Sequence, residues 1–137
     1  MILQNASQSS TWNGLGASNV IDGFFDEING CGWRFSHTLP EAETWLRIDL
    51  AEWKHVVLIE IYNRINYSQR LSNTELYVYG ESPSKNRQLC DIIVDGGFDH
   101  LKRVCKEPLF GKSVELYQPR TGQDRVINVC EVIVHGN

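Results

Sequence analysis

The sequence has no long hydrophobic run, no surplus of positive charge and no closely spaced cysteine pair, and each absence removes a class of function. Its most apolar stretches, such as Val56 to Ile59, are far too short to cross a bilayer as a helix. Lys and Arg number 13 against 17 Asp and Glu, for a formal charge of -4. No basic excess is left to neutralise phosphates, so a nucleic-acid partner is not expected. None of the cysteines sits in a Cys-x-x-Cys pair, which takes the main support from zinc-ribbon and thioredoxin-like readings. Gly-x-Ser-x-Gly, His-Glu-x-x-His and phosphate-cradling glycine loops are missing too. No carboxylate pair stands out for glycoside hydrolysis, so catalysis is not expected. The start, Met1-Ile-Leu-Gln4, has neither the basic residues nor the apolar stretch of a signal peptide. A mature or excised module, or export by an unusual route, is the expectation.

What is present points to strands. At 137 residues with 42% hydrophobic content, the chain fits one domain over 1–137 with one core. Helical periodicity is scarce, whereas period-two runs recur. Trp45 to Leu50 alternates Leu46, Ile48 and Leu50 against Arg47 and Asp49. Further strands are expected over 56–62, 74–79, 89–94, 101–104, 113–117 and 126–134, a spacing that suits an all-β sandwich or barrel. Turn chemistry falls between them at Asp22-Gly23, Asn29-Gly30, Ser82-Pro83-Ser84, Asp95-Gly96-Gly97 and 119–122. The stretch from Ser7 to Leu39 is long and poorly periodic, and such loops are functional or need bracing. Cys31, Cys90, Cys105 and Cys130 form an even, widely spaced set that suits an extracellular β-domain. Three pairings are open to them. The sequons Asn5-Ala-Ser7 and Asn66-Tyr-Ser68 are compatible with secretion.

Three groups of residues could carry chemistry. Asn19 and Asp22 share a loop, and Glu131 follows Cys130 near the other end of the chain. Calcium takes six to eight oxygens, and an ion there would order the long loop, although Asp22-Gly23 alone reads as a turn. His37, Arg64 and Arg70 are polar groups near strand ends; arginine forks suit paired hydroxyls, and histidine can give one hydrogen bond and accept another. The other reading of these three is solvated arginines and a loop histidine bonded to backbone. Trp12, Phe24, Phe25, Trp33 and Phe35 crowd the irregular region, as a local core or as the apolar wall of a sugar site.

Read together, these residues resemble the F-type lectin (fucolectin) domain, a branch of the discoidin-like jelly-roll β-sandwich group with long loops at one end. The resemblance runs in order through Ala6-Ser-Gln-Ser-Ser-Thr-Trp12, Ala17-Ser-Asn-Val-Ile-Asp-Gly23, Ser36-His-Thr38, Trp45 to Leu50, Ile61-Tyr-Asn-Arg64, Arg70-Leu-Ser-Asn73 and Val129-Cys-Glu-Val132. The family's sugar signature is a histidine, about twenty-six residues, Arg-x-Asp, then four residues and a basic side chain. Twenty-six residues separate His37 from Arg64 here. The Asp is replaced by Asn66, the spacing to Arg70 is one residue short, and Tyr67-Ser68 stands where the family has vicinal cysteines.

The resemblance implies a calcium-braced, secreted module that binds fucosylated glycans without catalysis. His37, Arg64 and Arg70 would anchor fucose, with Trp12 on its methyl group. Asn19, Asp22, Phe24, Ser36, Cys130 and Glu131 would supply calcium ligands, several through backbone carbonyls. Cys31 would pair with Cys130, and Cys90 with Cys105. Contact with membranes is expected only through surface glycans, and a homo-oligomer or tandem modules would supply avidity to a shallow site. The competing reading is a discoidin-like adhesion or membrane-binding module with a degenerate sugar site, using Trp12, Phe25 or Trp33 as hydrophobic spikes.

Overall fold

Apolar residues alternating with polar ones need a sheet with one face buried, and the computed structural model shows six strands and no α-helix among the described residues. Those residues are 5–23, 30–41, 43–82, 84–119 and 125–137. The strands are β1 (Asn5–Gln8), β2 (Thr44–Asn63), β3 (Thr74–Tyr79), β4 (Gln88–Ile93), β5 (His100–Gln118) and β6 (Val129–Gly136). Pairing is antiparallel along β1-β2-β5-β3-β4, with β6 on the second half of β2.

Two pairs of expected strands are in fact single bent strands. Residues 45–50 and 56–62 are the halves of β2, and 101–104 and 113–117 belong to β5. The chain between them kinks without reversing. Ala51 takes a positive φ of 69°, its N–H donates to Asp49 Oδ1 at 2.9 Å, and the register against β5 shifts between Asp49 and Lys54. β5 bends alongside at Gly111, where a Cβ would stand 2.6 Å from the Val78 side chain and 2.7 Å from the Tyr79 carbonyl oxygen. Both long strands therefore pass from one layer to the other. The first half of β2 pairs with β1 and the second half of β5 with β3, while the second half of β2 pairs with both β6 and the first half of β5. The result is a discoidin-like jelly-roll sandwich. β1, residues 5–8, was not expected; it is too short to show a period.

The core lies between the layers. Leu46, Ile48, Ile61, Leu76, Val114 and Leu116 are fully buried, each at 0% exposure. On the opposite face of the same strands, Glu115 is covered by two arginines, Arg47 at 2.6 Å and Arg87 at 3.0 Å, so this mid-strand charge is paired. Cys90 is bonded to Cys105, joining β4 to β5, and Cys31 to Cys130, tying the long loop to β6; these are the pairs the resemblance implies. Their Cα separations of 4.5 and 5.7 Å fall in the ordinary disulfide range. No helix among the described residues is long and apolar enough to cross a membrane.

Candidate functional site

The described residues of the long irregular region are held by backbone bonds that the sequence does not advertise. Residues 36–38 lie extended between two neighbours. Ser36 and Thr38 donate to the carbonyls of Val129 and Ile127 at 2.9 and 3.1 Å; His37 donates to Leu15 at 3.0 Å and accepts from Trp12 at 2.9 Å. The side chains complete the arrangement. Thr38 Oγ1 accepts the Ile127 N–H at 2.9 Å, and Gln8 Nε2 reaches the Leu15 and His37 carbonyls at 3.1 and 3.3 Å. Beneath lies a small core of Leu15, Phe35 and the Cys31–Cys130 bridge, with Tyr62 packed against it. Bracing of this kind lets a loop outside the sheet hold side chains in place.

His37 is buried, at 8% exposure. Its Nδ1 lies 2.7 Å from the Thr38 carbonyl, which can only accept, so Nδ1 carries the proton and Nε2 is left as an acceptor. Burial holds its pKa below the ordinary histidine value; Arg70 and Arg64 push the same way, and the bond to Thr38 opposes them. The Trp12 ring lies 4.6 Å from the imidazole and is 40% exposed.

Arg64 and Arg70 flank a turn that is clamped from below. Asn63 is buried at the end of β2; its Nδ2 faces the carbonyls of Ser68, Gly96 and Phe98 at 2.9, 2.9 and 3.2 Å, and its Oδ1 accepts the Arg64 N–H at 2.8 Å. Tyr67 adopts a left-handed φ of 63°, and a 3-10 turn over Ser68–Leu71 follows it. The Arg70 N–H donates to the Tyr67 carbonyl at 3.0 Å, while buried Gln118 donates through Nε2 to the Arg70 carbonyl at 2.8 Å and to Thr74 Oγ1 at 2.9 Å. The guanidinium of Arg64 lies 4.3 Å from the Phe35 ring and 5.1 Å from Tyr67, and that of Arg70 lies 4.3 Å from Tyr67. The shortened loop thus closes as a tight turn. Arg70 acts on the charge of His37 more strongly than Arg64 does. Burial, then the neighbouring Arg70, lowers the Arg64 pKa, though a guanidinium stays charged. His37, Arg64 and Arg70 converge on one surface, which offers a neutral imidazole acceptor beside two rigid donors, with Trp12 and Tyr67 exposed at its edge.

The second group meets at the other side of the loop. Glu131 is buried at 6% exposure; both its oxygens accept the Gly23 N–H at 3.2 Å, and its carboxyl is hydrogen-bonded to that of Asp22. Burial pushes the Glu131 pKa up to about 8, and Asp22 adds to the rise while the Gly23 N–H opposes it. Asn19 donates through Nδ2 to the Phe35 carbonyl at 3.0 Å, leaving its Oδ1 as a hard acceptor. The hydroxyl of Ser36 is engaged with the Val129 backbone at 3.4 Å. Among the described residues no group of three or more His, Cys, Asp and Glu side chains could hold a metal. A cation here would rest on two carboxyls plus amide and carbonyl oxygens, a donor set that fits calcium. Phe24 and Phe25 lie outside the described residues.

Sequence reasoning passed over Asn63, Gln118 and Gly96 as working parts. Gly96 read as a turn residue, but a Cβ there would stand 2.5 Å from the Leu71 carbonyl carbon; its N–H donates to Ser72 Oγ at 2.8 Å. It is a close-approach position under the arginine turn. The only signal of Asn63 was its place before Arg64 in the matched segment.

Comparison with known proteins bears on this geometry. No family model matches the chain. Fucolectin-1 and Fucolectin-6 of Anguilla japonica are 27% and 30% identical over 95% and 87% of the chain, which spans 76% and 62% of their lengths. The f-lectin (fucolectin) from Morone saxatilis (striped bass) serum superposes with a TM-score of 0.82 at 27% identity, over 97% of this chain and 46% of that one. These relatives and the f-lectin structure support an F-type lectin domain. A further relative of this F-type lectin domain is the lectin domain of Lectinolysin, complexed with Lewis B antigen: TM-score 0.79, 26% identity, 98% of this chain and 93% of that one. The relatives and neighbours are lectins and carbohydrate-binding modules, so the chain is a binding domain rather than an enzyme.

Proposed function

We propose that this domain binds terminal fucose on glycans at the surface where His37, Arg64 and Arg70 meet. The observation that carries the reading is the pairing of a neutral imidazole with two guanidiniums, all drawn into one electrostatic group. A sugar hydroxyl both donates and accepts. One that donates to His37 Nε2 can accept from an arginine, and the second arginine is left for the ring oxygen or a neighbouring hydroxyl. Trp12, tilted against His37, and Tyr67, beneath Arg70, supply apolar surface for a methyl group. The names of the relatives support fucose as the sugar, and the Lewis B complex supports a fucosylated glycan as its carrier.

Asn19, Asp22 and Glu131 would hold calcium, with backbone oxygens such as that of Cys130 completing the shell. Its chemistry is charge neutralisation and bracing: it would relieve the paired carboxyls and fix the loop that carries His37. The two disulfides support a secreted protein, since such bonds persist in oxidising compartments. A single shallow site supports presentation in several copies, as an oligomer or in tandem.

A glycan array followed by calorimetry with methyl α-L-fucoside tests the reading. Binding confined to fucosylated glycans and abolished in His37→Ala is expected. Binding to vesicles with no response on the array would replace it with the membrane-binding module.

A further inference from the structure

We propose that the outward face of the sheet formed by β1, β2, β5 and β3 carries a second glycan site, a groove that takes a neutral oligosaccharide chain independently of the His37–Arg64–Arg70 surface. The strand register builds it in three rows. Trp45, Tyr117 and Glu75 form the first; Ser7, Arg47, Glu115 and Tyr77 the second; Asn5, Asp49, Ser113 and Tyr79 the third. These positions alternate with the core residues Leu46, Ile48, Val114 and Leu116, so the rows face away from the core.

Two depressions open on this face. One, of about 490 Å³, is bounded by Glu43, Trp45, Arg47, Ser84, Arg87 and Tyr117. The other, of about 340 Å³, includes Ser7, Asp49, Glu81 and Ser113. Arg47 lines both, so they adjoin at one side chain. Each lies in the range of small-ligand sites, about 300 to 1,000 Å³. Trp45 and Asp49 are about 13 Å apart along β2 at a rise of ~3.3 Å per residue, room for a short sugar chain rather than one ring.

The groove is held in shape from beneath. Glu115, at 0% exposure, pairs with both arginines: Oε2 lies 2.6 Å from Arg47 Nε and Oε1 3.0 Å from Arg87 Nη1. The Arg47 guanidinium also lies 3.7 Å from the centre of the Trp45 ring, and that of Arg87 3.9 and 4.8 Å from the Tyr77 and Tyr117 rings. A buried ion pair adds little net stability. Its effect here is to fix two guanidiniums on a sheet face. Each has five N–H donors, and Glu115 engages Nε of one and Nη1 of the other, so donors remain for a ligand in the groove that both line.

The lining selects the ligand. Arg47 and Arg87 stand against the carboxylates of Glu43, Asp49, Glu81 and Glu115, so a phosphate, sulfate or sialic acid is not attracted. Among the described residues Ala6 is the only aliphatic side chain lining either depression, so an apolar peptide has little to cover besides the rings. A neutral sugar chain matches both features. Its C–H faces would cover Trp45 and Tyr117, and its hydroxyls would accept from the arginines and donate to the exposed carboxylates.

NMR on the whole chain, with methyl α-L-fucoside held in excess, would follow the tryptophan indole N–H signals and the Arg47 and Glu115 backbone amides. The probes are cellotetraose, maltotetraose and lacto-N-neotetraose, none of which carries fucose. At least one is expected to shift the Trp45 and Glu115 signals, with millimolar affinity, while Trp12 stays still. Trp45→Ala and Tyr117→Ala should each weaken that binding roughly tenfold or more, read from the backbone amides. Fucoside affinity should be unchanged in both variants, which guards against misfolding. No shift at this face with any of the three probes, or shifts that survive both substitutions, would overturn the groove. So would tighter binding of a heparin tetrasaccharide there, or signals that move with protein concentration alone because a second copy covers the face. Loss of fucoside binding by itself would overturn the loop site and leave this one standing.

Discussion

The guanidinium of Arg70 lies 4.3 Å from the centre of the Tyr67 ring, so the shorter loop keeps its second arginine against the turn that carries the first. Tyr67 is 61% exposed and also lies 5.1 Å from the Arg64 guanidinium. The ring separates two like charges and gives each a π-face. Arg70→Ala should therefore weaken fucoside binding as much as Arg64→Ala, by roughly 1.5 to 3 kcal/mol, the scale of a hydrogen bond to a charged group. Titration calorimetry at constant salt measures both. An Arg70→Ala loss under about 0.5 kcal/mol, that of a surface substitution, would show that this guanidinium does not touch the sugar.

In the proposed site His37 would set the pH dependence of binding. Its Nδ1 proton is committed to the Thr38 carbonyl, so a bound sugar would meet the Nε2 lone pair, and protonation would remove that acceptor. Burial and the two arginines hold the folded pKa below the ordinary histidine value of 6.5. The neutral form therefore persists through neutral pH and is lost only as acid reaches the lowered pKa. Affinity for methyl fucoside should stay flat from about pH 8 to pH 6.5 and fall below that. A rise in affinity on acidification would mean that His37 donates rather than accepts.

The sandwich was legible because alternation exposes one face of each strand, as Leu46, Ile48 and Leu50 against Arg47 and Asp49 show. The kink at Ala51 was not legible, because a positive φ at a non-glycine residue leaves no pattern. His37, Arg64 and Arg70 could be found by spacing within the resemblance. The placement of residues 36–38 depends on pairing with 127–129, which is remote in sequence and has no periodic signature. Trp33 read as one of the aromatics crowding the irregular region, and Ile65 carried no signal; only the fold places both beside Arg64.

Asn63 makes a prediction that separates positioning from contact. Its buried amide holds the Ser68, Gly96 and Phe98 carbonyls and the Arg64 N–H, so the arginine turn hangs from one side chain. Asn63→Ala leaves these groups without their partner and should cost roughly 1 to 3 kcal/mol of stability. Fucoside binding should weaken as well, though the His37 and Arg64 side chains are intact. A lowered melting temperature with unchanged fucoside affinity would show that the turn keeps its form without the clamp.

Calcium supplies the last test, because Asp22 and Glu131 are two carboxyls in hydrogen-bond contact, one of them buried. Without a cation, burial and the neighbouring carboxyl keep a proton on the pair, whereas hard oxygens around a divalent ion would let both ionise. Chelation should lower the melting temperature, and added calcium should restore it, by an amount that grows with the logarithm of free calcium over its Kd. Saturation at 100 times the Kd would contribute about 2.7 kcal/mol. Asp22→Ala and Glu131→Ala should each abolish the calcium response. The two variants should differ without metal: Glu131→Ala opens a void beneath Gly23, whereas Asp22, exposed, leaves little behind. Fucoside affinity should fall on chelation, since the Asn19 amide joins this group to the Phe35 carbonyl, two residues before His37. Melting curves that coincide in calcium and in chelator, at matched ionic strength, would remove the ion from the proposal and leave the Gly23 and Phe35 contacts to order the loop by themselves.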